Sequence, residues 1–124
     1  MRTLVVSLMT IGFCGCGSGQ PPPDTGARVR HWLETLRKPE AKLRKEAAFK
    51  LGNLGNTDPA TVGPALTAAL KDADPAVRCE AILALLKCGQ AARDAVAELS
   101  QIQRQDDDAR VRDYAAKALA KIAK

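Results

Sequence analysis

The sequence has 124 residues and a formal net charge of +5; 46% of its residues are hydrophobic and 3% are aromatic. This length accommodates one domain. The hydrophobic share excludes a disordered polar chain, and nine glycines with seven prolines are too few for a fibrous repeat. Because strands favour aromatic and β-branched residues, a chain rich in alanine and leucine but poor in aromatics predicts closely packed helices.

Residues 1–16 have the pattern of an export signal. Arg2 provides a positive charge, and a short hydrophobic stretch follows it. The stretch consists of Leu4, Val5, Val6, Leu8, Met9, Ile11 and Phe13. It is shorter than the about 20 residues that a membrane-spanning helix needs.

The end of this segment, Phe13-Cys14-Gly15-Cys16-Gly17, resembles a bacterial lipoprotein signal, in which a small residue precedes the cysteine that receives the lipid. Gly15 before Cys16 fits, whereas Phe13 replaces the Leu, Val or Ile usual in that family. The resemblance implies cleavage before Cys16, lipidation of Cys16 and attachment to a membrane of a bacterial envelope, on its periplasmic or extracellular side. Several acyl chains on one residue give stable anchoring, where one chain is marginal. An ordinary cleaved signal and a short uncleaved anchor are the alternatives.

Residues 17–26 are predicted to be a tether. They are mostly Gly, Ser, Pro and Gln and include Pro21-Pro22-Pro23, a composition that forms neither a helix nor a packed core. We expect this segment to hold the folded part a short distance from the lipid headgroups.

A pattern with a period of 34 residues begins at Ala27. Glu40-Ala-Lys-Leu-Arg aligns with Asp74-Pro-Ala-Val-Arg and with Asp108-Ala-Arg-Val-Arg when the sequence is shifted by 34 residues. The apolar positions that follow have the spacing of one helical face, which predicts three copies of an amphipathic helix. The matching positions are Leu43, Val77 and Val111; Ala47, Ala81 and Ala115; Leu51, Leu85 and Leu119; and Leu54, Cys88 and Ile122.

Local signals mark the ends of these helices. Asp74 is a predicted N-cap with Pro75 in the first turn, and Gly55 and Gly89 are predicted stops. Each helix is preceded by a less regular one with helical spacing. Their apolar positions are Val29, Trp32, Leu33 and Leu36; Val62, Ala65, Leu66, Ala69 and Leu70; and Val96, Leu99 and Ile102. The third departs from the period by one position, since Leu99 is level with Ala65 rather than Leu66.

The sequence therefore predicts an all-α domain over residues 27–124, with six helices in three hairpins at about 27–55, 56–89 and 90–124. The turns within the hairpins are expected at Lys38-Pro39, Ala73-Asp74 and Asp106-Asp107-Asp108. Longer links are expected around Asn56-Thr57-Asp58 and Gly89-Gln90.

These residues resemble HEAT repeats of the short kind that also occurs in phycobilisome lyases. The segments that carry the resemblance most clearly are Leu70 to Leu85 and Asp106 to Leu119. The resemblance implies an α-α superhelix, a short solenoid of three helical hairpins. It also implies a ladder of hydrogen bonds between adjacent repeats, made by an Asp in the turn and an Arg six residues later. The matching residues are Asp72 with Arg78 and Asp106 with Arg112; the first repeat has Lys38 at the Asp position, so Arg44 is expected either to reach Asp72 or to remain solvated.

The sequence contains no recognisable catalytic constellation. His31 is its only histidine, which leaves no His pair for a metal site and no partner residues for a His-based triad. The same fact excludes the iron-binding HEAT hydroxylases, which need several His-Glu pairs. The run Asp106-Asp107-Asp108 lacks the Gly and distal Glu of a calcium loop and is interpreted as a turn with an N-cap. We therefore expect no enzyme activity, no cofactor and no metal.

Two cysteines lie in the middle repeat. Cys79 and Cys88 are about 13 Å apart along one helix and on opposite faces, so they cannot pair with each other. Cys88 shares a core position with Leu54 and Ile122 and is predicted to be a buried filler. Cys79 is predicted to be exposed, either as an incidental thiol or as a site for an intermolecular disulfide.

These observations favour a binding module, and the resemblance implies a partner on the concave face, which the second helices line. The leading hypothesis is a lipid-anchored envelope scaffold that binds an unidentified protein; a merely solvated face is the alternative. The exposed candidates are Lys42, Lys45, Glu46 and Lys50; Cys79, Glu80 and Lys87; and Arg110, Asp113, Tyr114, Lys117 and Lys121. A lyase-like enzyme or accessory and a nucleic-acid-binding HEAT-like domain are the other hypotheses, and the export signal argues against both.

The positive charge is concentrated next to the predicted anchor. Residues 28–50 contain eight Lys or Arg against three Asp or Glu, whereas residues 51–124 contain ten of each. We expect the first repeat to dock on anionic headgroups, where each basic residue near the surface contributes about 1 kcal/mol.

Overall fold

The structure, a computed structural model, describes residues 24–123. Over this range the backbone forms seven α-helices and no strands. The helices are α1 (Thr25–Thr35), α2 (Ala41–Leu54), α3 (Pro59–Ala69), α4 (Pro75–Cys88), α5 (Gln90–Asp94), α6 (Val96–Gln105) and α7 (Ala109–Ile122). The predicted signal with Cys16, and the predicted tether up to residue 23, lie outside the described residues. Helix α1 begins inside the last part of that tether, at Thr25.

The helices pack in two layers. Helices α2, α4 and α7 lie side by side in one layer, and α1, α3 and the α5–α6 pair form the other. The three helices of the first layer contact one another more extensively than the helices of the second layer do, which places the first layer on the inner, concave side of the stack. The prediction of an all-α solenoid of helical hairpins is confirmed.

The hydrophobic core lies between the two layers and runs through all three hairpins. Its largest fully buried side chains are Leu51, Leu66, Leu70, Ile82, Leu85, Leu99, Val29, Val62, Val77 and Val111. Alanines occupy one equivalent position in the three repeats, Ala47, Ala81 and Ala115, and they are also fully buried. Their small side chains let the two layers approach closely. Removal of this apolar surface from water, at about 25 cal/mol per Å², is the main force that holds the stack together.

Helix ends follow the local sequence signals. The carboxylates of Asp74 and Asp108 cap α4 and α7 by accepting hydrogen bonds from the backbone N–H groups two and three residues later, and Pro75 opens α4. Gly55 and Gly89 follow the last residues of α2 and α4, as predicted.

The third hairpin differs from the prediction of a single first helix. The segment divides into α5 and α6 at Ala95, whose φ of −97° and ψ of 11° lie outside the helical region. The described residues thus form seven helices rather than six, and Gln90 begins α5 instead of belonging to a longer link. Ala95 and Leu99 are buried while Val96 is exposed, which is the structural counterpart of the one-residue shift in the sequence.

Arginine side chains join adjacent hairpins. Arg44 donates from Nε to Oδ2 of Asp72 at 2.8 Å and from Nη2 to Oδ1 at 3.0 Å. Its Nη1 donates to the carbonyl oxygens of Lys38 and Pro39 at 2.9 and 2.6 Å. One guanidinium therefore connects the turn of its own hairpin to the turn of the next, and of the two outcomes expected for Arg44 the structure shows the contact with Asp72.

Arg78 makes the same connection one repeat later. Its Nη2 donates to Asp106 at 3.0 Å and to Asp107 at 2.9 Å, and its Nη1 donates to the carbonyl oxygen of Asp72 at 2.7 Å. Nε lies 2.9 Å from Oδ2 of Asp106, which is an ion-pair distance, but its N–H has no hydrogen-bond partner because the alignment is poor. The two atoms therefore attract by charge alone.

The ladder thus uses two different acceptors on each aspartate. Asp72 and Asp106 offer their backbone carbonyl oxygens to the arginine six residues later in the same hairpin, Arg78 and Arg112, at 2.7 and 2.6 Å. Their carboxylates receive the arginine of the preceding hairpin instead. The pairs expected from the six-residue spacing are in contact, but the contact between hairpins joins residues 28 apart.

Candidate functional site

On the exposed side of α2 and α4, one repeat position carries a large apolar side chain in each helix. Phe49 is 41% exposed and Leu83 is 37% exposed. They occupy the same position in α2 and α4, one period apart, and Lys117 occupies it in α7. We call Phe49 and Leu83 the apolar pair. Exposed apolar side chains that lie side by side are typical of interaction surfaces.

A groove of about 650 Å³ lies beside the apolar pair. Helices α2, α4, α5 and α7 all contribute to it. Its lining consists of the apolar pair with Leu86, Gly89, Ala92 and Ile122, and of the charged residues Glu80, Lys87, Arg93 and Lys121. An apolar floor with a mostly basic rim is suited to an apolar side chain flanked by acidic groups.

Lys87 of α4 contacts two residues of α2 beside the groove. Its Nζ lies 4.4 Å from the centroid of the Phe49 ring and donates a hydrogen bond to Oδ1 of Asn53 at 3.1 Å. The first contact is a cation–π interaction, and the second holds the ammonium group over the ring. The surface between α2 and α4 is therefore ordered before any partner binds.

Most of the predicted face residues lie on this exposed side. Lys42, Lys45, Glu46, Lys87, Arg110, Asp113, Tyr114, Lys117 and Lys121 are exposed, and Glu80 is half-buried. Lys117 and Asp113 pair with each other at 2.9 Å within one turn of α7. The hydrogen bond that Lys117 donates to the carboxylate of Asp113 raises the pKa of Lys117.

Lys50 lies apart from the other predicted face residues. Its Nζ is 5.9 Å from the centroid of the Trp32 ring on α1. In the repeat it is level with Ala84 and Ala118, which are buried between second helices. Since α2 is the first of these helices, Lys50 lies at the α1–α2 end of the stack instead of on the concave face.

The sequence does not predict Phe49, Leu83 or Arg93 of the groove as face residues. Helical periodicity assigns apolar residues to the core, and Phe49 was left out of both the core and the face. Its signal is the 34-residue relation to Leu83, because both are apolar at a position that is charged in the third repeat. The run from Ala81 to Leu86 is apolar throughout, so the sequence does not indicate which of its members is exposed.

The repeat period, the two layers and the ladder define the kind of protein. Comparison with models of protein families matches residues 29–120 to the family described as HEAT repeats. The chain belongs to the HEAT-repeat family. The match extends from α1 to α7 and so includes all three hairpins. Comparison with curated proteins and with solved structures found no match.

HEAT repeats commonly mediate interactions between proteins and are typically scaffolds rather than catalytic domains. Within residues 24–123, no group of three or more His, Cys, Asp or Glu side chains is placed to hold a metal ion. None of the helices in that range combines the length and the hydropathy needed to cross a membrane. The concave groove with its apolar pair is therefore the candidate site that this HEAT-repeat chain presents.

The thiols of Cys79 and Cys88 are at least partly buried. Cys88 is buried, and Cys79 is half-buried rather than exposed as predicted, because position 79 of α4 lies towards α7. Burial raises the pKa of both thiols; the charge of Arg110 opposes this at Cys79 without cancelling it. Less thiolate at neutral pH disfavours a disulfide at Cys79.

Proposed function

We propose that this HEAT-repeat protein is a lipid-anchored scaffold of a bacterial envelope and that it binds another protein in the concave groove. The apolar pair carries the proposal. Two large side chains in solvent, one of them an aromatic ring fixed by Lys87, offer the kind of anchor that dominates binding energy at protein interfaces.

The charges around the groove define the chemistry of the segment that fits it. Lys87, Arg93 and Lys121 are basic, whereas Glu80 is acidic and half-buried. A segment with an apolar side chain for the groove floor and acidic residues beside it complements this rim. Opposite charges at the rim mainly increase the rate of association, while the apolar contact sets the lifetime of the complex.

The anchoring part of the proposal is supported by the sequence. Gly15-Cys16 follows a short hydrophobic stretch with Arg2 before it, and the basic first repeat comes soon after the tether. Lipidation at Cys16 would keep the concave groove close to the membrane and thereby raise the effective concentration of membrane-associated partners.

Replacement of Leu83 by Ser tests the groove, and Val96→Ser is a matched control. Both side chains are 37% exposed, but Leu83 is in the groove on α4 while Val96 is on α6 in the outer layer. A photoreactive amino acid at Lys121 in the full-length chain, activated in intact cells, reports partner contact. We expect Leu83→Ser to reduce the cross-linked product at least about tenfold, since the apolar anchor is lost. Val96→Ser should leave it unchanged; equal yields from both variants would overturn the groove as the binding site.

Replacement of Cys16 by Ser tests the anchor, and Cys14→Ser is its control. We expect the Cys16→Ser protein to leave the membrane fraction after cell lysis, because the acyl chains can no longer be attached. The Cys14→Ser protein should partition with membranes as the unmodified protein does. Unchanged membrane association of Cys16→Ser would contradict lipidation at that residue.

A further inference from the structure

Arg112 is held in the same pose as the two arginines that connect hairpins. Its Nη1 donates to the carbonyl oxygen of Asp106 at 2.6 Å, as Nη1 of Arg78 does to Asp72 at 2.7 Å. In each case the acceptor lies six residues earlier, in the turn of the same hairpin. This contact fixes the guanidinium beside the turn and orients its other edge away from the hairpin.

That other edge, formed by Nε and Nη2, has no acceptor at Arg112. In Arg44 the same two nitrogens hold the carboxylate of Asp72 at 2.8 and 3.0 Å. In Arg78 they lie 2.9 and 3.0 Å from the carboxylate of Asp106. No carboxylate of residues 24–123 pairs with Arg112. Within residues 24–123, a two-point carboxylate receptor is thus formed beside α7, and no carboxylate of that range occupies it.

The side of α7 next to this receptor can accept a helix. Ala116 and Ala120 are level with Ile82 and Leu86 of α4, on the side of each second helix that is turned towards the following hairpin. Ala116 is half-buried and Ala120 is exposed. The small side chains at these positions leave room for a further helix to pack against this side of α7.

A second copy of this chain does not fit the receptor. If the stack continued head to tail, the turn of a first hairpin would meet Arg112, and that turn carries Lys38 where the other turns carry Asp72 and Asp106. Lysine opposite the guanidinium would place two positive charges together. Charge complementarity therefore selects a different chain with a carboxylate at this point.

We propose that the α7 end of the stack binds a helical hairpin of another protein, whose turn carries an aspartate that Nε and Nη2 of Arg112 receive. This surface is distinct from the concave groove, and the proposal stands whether or not the groove binds a partner. The protein would then act as an adaptor. Its stack would continue into the helices of the partner, and Arg112 with the partner's aspartate would form the same contact that joins adjacent hairpins within this chain.

The test uses the full-length chain with a photoreactive amino acid at position 120, activated in intact cells. Captured proteins and the cross-linked peptide are identified by mass spectrometry. We expect a peptide from a helix that follows an Asp-containing turn. Arg112→Lys keeps the charge but cannot form two parallel hydrogen bonds, so it should reduce the captured product at least about tenfold. Arg104→Lys, a change at an exposed arginine of α6, should leave it unchanged.

Affinity measurements with the captured protein complete the test. Replacement of its turn aspartate by Asn should weaken binding to the unmodified chain by the same factor as Arg112→Lys, and the two changes together should cause no further loss. This second variant keeps the proposal falsifiable if Arg112→Lys lowers the thermal stability of the chain. No product at position 120, a product insensitive to both changes, or a second copy of this chain as the product would overturn the proposal. Loss of capture by Leu83→Ser alone would concern the groove and leave this surface unaffected.

Discussion

Gly52 lies where α2 and α4 are too close for a side chain. A Cβ added at Gly52 would be 2.8 Å from Cβ and 2.9 Å from Cα of Ala84. Both atoms belong to the backbone or are fixed to it, so neither can move away by a rotamer change. The absence of a side chain at this one position sets the distance between the first two hairpins.

We expect Gly52→Ala to lower the free energy of unfolding by about 1–3 kcal/mol, because the overpacked helices must shift apart. Gly26→Ala is the control in α1, where the nearest atom is the end of the Arg30 side chain at 3.6 Å. This change should be neutral or stabilise the fold by up to about 1 kcal/mol through helix propensity. Urea denaturation of both variants distinguishes them, and equal effects would show that the close approach does not matter.

Asp72 gives the stability of the fold a dependence on pH. Burial alone would raise the pKa of Asp72, but hydrogen bonds from Arg44 and from the backbone N–H of Asp74, with the arginine charges, hold it below its ordinary value. A lowered pKa in the folded state contributes stability above the unfolded pKa of about 3.9, and this stability is lost as the pH falls through the folded pKa.

We therefore expect Asp72→Asn to be less stable than the unmodified chain at pH 7, with a difference that shrinks as the pH falls below about 4. Asp107→Asn is the control, since the Asp107 side chain also contacts Arg78 but is 91% exposed. Its effect should be small at every pH. Denaturant titrations at pH 7 and pH 3 measure this, and a constant difference for Asp72→Asn would exclude the linkage.

At the scale of the helix, the third hairpin shows how a one-residue shift is accommodated. Val62 in the second hairpin is fully buried, whereas Val96, one period later, is 37% exposed. The break at Ala95 rotates α6 so that Leu99 enters the core at 1% exposure. The helix therefore uses a different residue for the same packing role.

Leu99→Ala should destabilise the fold by about 2–5 kcal/mol, because it leaves a cavity between the layers. Val96→Ala should change the stability by no more than about 0.5 kcal/mol, since the side chain is at the surface. Thermal unfolding of the two variants measures the contrast. A large loss of stability in Val96→Ala would mean that Val96 is buried as Val62 is, and that α6 follows the 34-residue period without a shift.

The parts of the fold that could be predicted are those with local causes. Asp74 with Pro75 and the period of Leu51, Leu85 and Leu119 act within one turn or one helix face, so the sequence alone indicates them. The Arg44–Asp72 contact joins residues in different hairpins, and only the packed layers show which acceptor of each aspartate is used. Glu80, Lys87 and Lys121 of the groove could be predicted as face candidates. Arg93 and the apolar pair could not, because exposure depends on how far the neighbouring helices reach.

At the scale of the whole molecule, the excess of positive charge lies at the α1–α2 end of the stack. The first repeat holds the excess of basic residues, and the same end exposes Leu43 and holds Lys50 near Trp32. Basic side chains with exposed apolar neighbours suit an anionic lipid surface. The predicted tether precedes α1 in the sequence, so the proposed anchor and this charge would act at the same end.

We expect residues 24–124, without lipid, to bind vesicles that contain anionic lipid more strongly than neutral vesicles, and to be released by salt. Arg30→Glu with Lys38→Glu should weaken binding to anionic vesicles about tenfold or more, since two attractive charges become repulsive. Lys71→Glu with Arg104→Glu makes the same change of net charge in the neutral part and should have a smaller effect. Binding that ignores the anionic lipid content would contradict docking through the first repeat.

Asp72 serves both connections of the ladder at once. Its carboxylate accepts from Arg44 and its carbonyl oxygen accepts from Arg78, so the first and the second rung meet at one residue. A displacement of Asp72 therefore disturbs its contacts with Arg44 and with Arg78 together. The first hairpin and Arg78 of the middle hairpin are thereby coupled through one residue in the turn between α3 and α4.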